Sequence, residues 1–165
     1  LDAARADGNA KAVRALEKIG PPPYAGSDLY VQRMWLSRYH GDLHTMTMLD
    51  YLGIALDAPE YTLGDVVGLV RGMRRSVDLL WGQLMTVNLL RECPRLEVPV
   101  FFFCGRHDQT TPSQLVVELC ETIEAPTKQI IWFEGSAHMP NLEEPEAFQR
   151  ALTEIALQGS RARKM

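Results

Sequence analysis

Over the first ninety-odd residues the apolar positions recur at helical spacing. Ala10, Val13, Leu16 and Ile19 fall on one face, and Gly20-Pro21-Pro22-Pro23 ends that helix. Tyr30 to Tyr39, with Val31, Met34, Trp35 and Leu36, predicts a second helix. Leu43 to Leu56, rich in Met and Leu and followed by Pro59, predicts a third. Thr62 stands three residues before Asp65, the spacing of a capping box. Val66, Leu69, Val70, Met73, Val77, Leu80 and Trp81 then share one face of a long fourth helix.

The pattern changes after residue 92. Pro99-Val100-Phe101-Phe102-Phe103-Cys104 is short and continuously apolar, with the aromatic and β-branched content of a strand buried on both faces. Thr111-Pro112-Ser113-Gln114 predicts a helix start, with Thr111 as cap and Pro112 in the first turn. Leu115, Val116, Leu119, Cys120 and Ile123 form its apolar face. Lys128 to Phe133 predicts a second buried strand, and Pro145 opens a last helix carrying Phe148, Ala151, Leu152 and Ile155. The order strand, helix, strand, helix is that of a parallel sheet in the α/β class. Two such strands make an incomplete sheet whose outer edges need partners. The expected organisation is a helical region over 1–92, a βαβα unit over 93–158 and a flexible tail over 159–165.

Composition narrows the function classes. The chain has 165 residues, a net charge of -4 and ordinary globular composition, which argues against a nucleic-acid partner. The basic cluster Arg161-Ala162-Arg163-Lys164 falls in the expected tail. No apolar run reaches the roughly 18 residues of a membrane span, so no membrane partner is expected. Cys93, Cys104 and Cys120 follow no zinc or disulfide spacing, and free thiols fit a cytoplasmic location. Leu1 opens the chain inside a helical pattern with no signal-peptide h-region, which suggests a truncated reading frame.

The candidate chemistry lies in the loops after the two strands, because parallel sheets place their sites at the carboxyl ends of strands. Asp108 follows the first strand and His138 the second, thirty residues apart. A histidine base needs its other ring nitrogen held by a carboxylate, and this pair supplies both. His107, next to Asp108, is a rival base. His40 and His44 have metal-ligand spacing only if helical, and Gly41 interrupts them, so no metal site is expected. Glu143 and Glu144 suit a helix start, where negative charge is favoured, or the binding of a substrate amine. Trp35, Met34, Met46, Met48, Met73 and Trp81 suit either core packing or the lining of a substrate pocket, and Met139 is a second candidate for substrate contact.

Val98-Pro99-Val100-Phe101-Phe102-Phe103-Cys104-Gly105-Arg106-His107-Asp108 with Thr111-Pro112 resembles the strand and acid loop of α/β-hydrolases. Trp132-Phe133-Glu134-Gly135-Ser136-Ala137-His138-Met139-Pro140 with Glu143-Glu144-Pro145 resembles their histidine loop and final helix, although Ala137 stands where glycine is frequent. The helical half, above all Leu63-Gly64-Asp65 through Trp81, resembles the cap of the proline iminopeptidase-like branch. The resemblance implies the C-terminal portion of an α/β-hydrolase fold, with Asp108 and His138 as acid and base of a serine triad. No metal or cofactor is implied. The substrate implied is a small peptide with N-terminal proline, or a related amide or ester.

None of Ser27, Ser37, Ser76, Ser113, Ser136 or Ser160 lies in a G-x-S-x-G elbow, and the oxyanion loop is missing too. The chain alone is therefore expected to be inactive, its missing N-terminal catalytic half being one partner. The open sheet edges suggest a homo-oligomer. The alternatives are a self-associating or partner-binding module without catalysis, the product of a disrupted gene, and an esterase-like or haloalkane dehalogenase-like member of the superfamily.

Overall fold

The computed structural model describes residues 1–24 and 26–162. Its elements are α1 (Asp2–Ala6), α2 (Ala10–Ile19), α3 (Ser27–Arg38), α4 (Met48–Asp57), α5 (Leu63–Leu84), α6 (Leu89–Glu92), β1 (Val100–Gly105), α7 (Ser113–Thr122), β2 (Lys128–Phe133), α8 (Pro140–Glu143) and α9 (Pro145–Ala162). They divide into two compact units. One comprises Leu1–Tyr39 and Met46–Asn88; the other comprises His40–Thr45 and the chain from Leu89 onward. Helix α9 extends into the expected tail, of which 163–165 lie outside the described residues. Among the described residues no helix is long and apolar enough to cross a membrane.

The first unit is helical. The Asn9 side chain accepts the Ala12 N–H at 3.1 Å to start α2, and Gly20, at φ 70°, ends it in a conformation other residues rarely adopt. Ala4, Ala12 and Trp35 form the core of α1, α2 and α3, with Val13, Ala15, Leu16, Val31 and Tyr39 packed around them. Arg5 meets Glu17 at 3.0 Å, and the Tyr39 hydroxyl donates to Asp7 at 3.2 Å. The third predicted helix begins later than its apolar pattern suggests, at Met48 rather than Leu43. Thr47 and Asp50 form a capping box there, which fixes the start. The capping box of Thr62 and Asp65 opens α5 as the sequence predicts. Helix α5 packs against α4, but a helix of 22 residues presents more apolar surface than one of 10 covers. Val66, Val77 and Trp81 are half-buried, while Leu69, Val70, Met73 and Leu80 stay exposed.

In the second unit β1 and β2 pair in parallel, from Val100 opposite Lys128 to Gly105 opposite Phe133. Helix α7 connects them, and α9 sets Phe148 against Phe103 and Phe133, with ring centroids 4.9 and 5.8 Å away. Burial on both faces, expected along the whole of each strand, is reached only at their carboxyl ends. Cys104, Gly105 and Phe133 are buried, whereas Lys128 and Gln129 are exposed. Two strands flanked by α7 and α9 cannot cover both faces from end to end. Thr111 is not the cap of α7. Pro112 takes the N-cap position, and the Thr111 N–H is used elsewhere.

Candidate active site

The buried ends of β1 and β2 deliver two loops to one place. The Arg106 N–H donates to the Phe133 carbonyl at 2.9 Å and the His107 N–H to the Ser136 carbonyl at 3.0 Å. At Gly105 the loops come so close that a Cβ would collide with the Ala137 carbonyl oxygen and lie 2.5 Å from that of Ser136. Only glycine permits this approach.

Asp108 is buried, and both of its carboxylate oxygens are engaged. Oδ1 accepts the N–H groups of Thr110 at 2.8 Å and Thr111 at 2.9 Å. Oδ2 lies 2.9 Å from Nδ1 of His138. A carboxylate only accepts, so Nδ1 carries the proton in this contact. The His138 side chain is 39% exposed and that of Asp108 11%. The acid is thus held inside and the imidazole reaches the surface. The structure brings the two sequence-predicted residues together in the geometry that fixes a histidine's tautomer and orientation.

The frame around the pair has no counterpart in the sequence reading. Glu143, at the end of α8, accepts the N–H groups of His44 at 2.5 Å and Thr45 at 2.6 Å and the Thr45 hydroxyl at 3.1 Å through Oε1. Its Oε2 accepts the Ala137 N–H at 2.7 Å. Glu144 accepts the Gly135 N–H at 3.0 Å and the hydroxyl of fully buried Ser136 at 2.6 Å. Both carboxylates therefore brace the histidine loop. The segment His40–Thr45 adds two backbone bonds: Gln109 N–H to the Gly41 carbonyl at 2.9 Å, and His138 N–H to the Asp42 carbonyl at 3.0 Å. On the outer side Arg106 forks onto Glu134 at 3.0 and 2.6 Å and lies 3.8 Å over the Trp132 ring. These hydrogen bonds hold the Glu134 carboxyl below its ordinary range and the Arg106 guanidinium above its own.

The other candidates fall elsewhere. His107 points Nε2 at the Glu134 carbonyl, 3.1 Å away, and its ring stacks on His44 with centroids 3.5 Å apart. It is therefore engaged with Glu134 and His44, while His138 is the ring in contact with Asp108. His40, at φ 57°, and His44 lie outside any helix. Trp35 sits in the core of the first unit, 6% exposed. Met139 follows His138 at the N-cap of α8 and is half-buried. The Ser113 hydroxyl donates to the Gly105 carbonyl at 2.9 Å. Burial, then the nearby Asp108 and Cys120, push the Cys104 thiol up from its ordinary value. Among the described residues no group of three or more His, Cys, Asp or Glu side chains is placed to hold a metal ion.

The chain is similar to two proteins of Bacillus subtilis (strain 168). It is 33% identical over 101 residues to a protein named probable aminopeptidase YbaC, a match covering 61% of this chain and 32% of that protein. It is 32% identical over 76 residues to AB hydrolase superfamily protein YclE, covering 46% and 27%. The matched part thus spans about a third or less of these curated relatives. No family profile and no solved structure matches the chain. The two matches relate it to the α/β-hydrolases, in agreement with its mixed helical and parallel-strand architecture.

Proposed function

We propose that this sequence is the C-terminal portion of a serine-type α/β-hydrolase that removes an N-terminal residue, with proline as first candidate, from small peptides, or cleaves a related amide or ester. The observation that carries the proposal is the 2.9 Å contact between Asp108 and His138 at the carboxyl ends of two parallel strands. The similarity to a protein named as a probable aminopeptidase supports the substrate class.

In this reading residues 1–92 form a cap and 93–158 the end of the catalytic core. A serine on a preceding segment attacks the carbonyl carbon. His138 takes the serine proton on Nε2, and Asp108 holds the resulting imidazolium. His138 then returns the proton to the leaving amine as the C–N bond breaks. Water, deprotonated by the same nitrogen, hydrolyses the acyl-enzyme. The free thiols, two of them buried, suit a reducing, cytoplasmic setting.

The test is turnover of amino-acid p-nitroanilides, prolyl first, by the complete hydrolase and its His138→Ala variant. The variant should lose at least about a thousandfold in kcat with its melting temperature kept. Equal turnover would sink the assignment. A second reading, a self-associating module without catalysis, is favoured by the exposed Leu, Val and Met side chains of α4 and α5.

A further inference from the structure

We propose that Glu143 is a positioning residue. Its carboxylate ties the strap His40–Thr45 to the histidine loop and thereby sets the distance between Asp108 and His138. The inference rests on the hydrolase reading above for its effect on rate, though not for its effect on the ring.

The carboxylate works in two directions. Oε1 gathers His44 N–H, Thr45 N–H and the Thr45 hydroxyl from the strap, and Oε2 takes the N–H of Ala137, which immediately precedes His138. Bonds to a carboxylate acceptor are the strong ones, and here one group collects them from Thr45, 98 residues before it in sequence, and from Ala137. The strap in turn holds the backbone beside both reacting residues. The Asp42 carbonyl takes the N–H of His138, and the Gly41 carbonyl takes that of Gln109, next to Asp108. Ala137 has no exposed surface and its carbonyl faces Gly105, so its N–H cannot turn to water without moving the loop. Without the Glu143 carboxylate the strap and the histidine loop lose their common anchor, and the imidazole loses its fixed bearing on Asp108. Such a loss acts on the reacting geometry rather than on substrate affinity, so it lowers kcat and leaves KM.

The experiment uses Glu143→Gln, which keeps the shape but offers only one acceptor oxygen, and Thr45→Val, which removes a single donor. In the complete hydrolase Glu143→Gln should lower kcat by about 10- to 100-fold with little change in KM, and Thr45→Val should do so less. In the 165-residue chain itself, labelled with 15N-histidine, the Nδ1–H proton signal of His138 should broaden by solvent exchange in Glu143→Gln. Unchanged kcat together with a sharp Nδ1–H signal would overturn the proposal. So would a loss of kcat that vanishes when rates are expressed per folded molecule. His138→Ala, run in parallel, separates the two claims. If it stays active the hydrolase reading fails, and the Nδ1–H signal alone then decides the role of Glu143.

Discussion

Each member of the proposed acid–base pair depends on backbone it does not own. Asp108 is held by two N–H groups of its own turn and His138 by the Asp42 carbonyl, so the pair's geometry is a property of the loops. In the complete hydrolase Asp108→Asn should keep the fold but allow the wrong histidine tautomer, lowering kcat by about four orders of magnitude in steady-state assays. Gly105→Ala forces a methyl group into the Ala137 carbonyl and should destabilise the second unit by at least about 1–3 kcal/mol, read from the urea midpoint. An unchanged midpoint would mean that the loops do not approach as described. Cys104 is buried and its thiol pushed up, whereas Cys93 is exposed. Cys93 should therefore react first with a disulfide reagent. Because the folded thiol holds its proton more tightly than the unfolded one, stability is full below the ordinary thiol value of 9.0 and falls as pH rises through the folded value. Asp108 and His138 were legible in the sequence because each closes a short apolar run with a polar loop. Glu143 was legible as a residue of a helix start or a contact for a substrate amine but not as a brace, since its partners His44 and Thr45 lie 99 and 98 residues away and leave no local trace.

At the scale of elements, local chemistry sets the boundaries and apolar periodicity sets the types. The box of Thr62 and Asp65 is visible in the sequence and opens α5 where expected. The equivalent box of Thr47 and Asp50 is hidden within a run of Leu and Met, so the apolar pattern alone starts that helix several residues early. In both boxes the hydrogen bonds from threonine hold the aspartate carboxyl below its ordinary value of 3.8. A lowered folded value means that this contribution is present above pH 3.8 and lost as pH falls through the folded value. Acid titration followed by circular dichroism should therefore show helical signal falling in that window, and Thr62→Ala together with Thr47→Ala should remove much of the step. A step unaffected by the double substitution would assign the acid transition to other carboxylates, such as Glu134. The strand end at Phe133 matches the sequence reading because a buried aromatic run has sharp limits, and β1 runs one residue past the expected end at Cys104, to Gly105. Two-sided burial was overstated, because it depends on neighbours that a sequence pattern does not name.

At the scale of the whole molecule, apolar side chains of α4 and α5 lie exposed, and the sheet of the described residues has two strands and so two outer edges. Such surface is unusual for a monomer. We expect the isolated chain to bind a hydrophobic dye and to associate with rising concentration in sedimentation velocity. A monomer at every concentration with no dye binding would contradict that expectation. The class α/β was legible from the order of elements, since strands alternating with helices specify a parallel pair. The rest of the proposed sheet was not, because the part these relatives share with this chain is only 32% and 27% of their length. The central claim is that Asp108 and His138 activate a serine outside residues 1–165. Fluorophosphonate labelling of the complete hydrolase, with the labelled peptide located by mass spectrometry, tests it most directly. The account predicts one labelled serine preceding this sequence, with the label lost in His138→Ala. A label on Ser136 or any other serine within residues 1–165, or equal labelling of the His138→Ala variant, would contradict it.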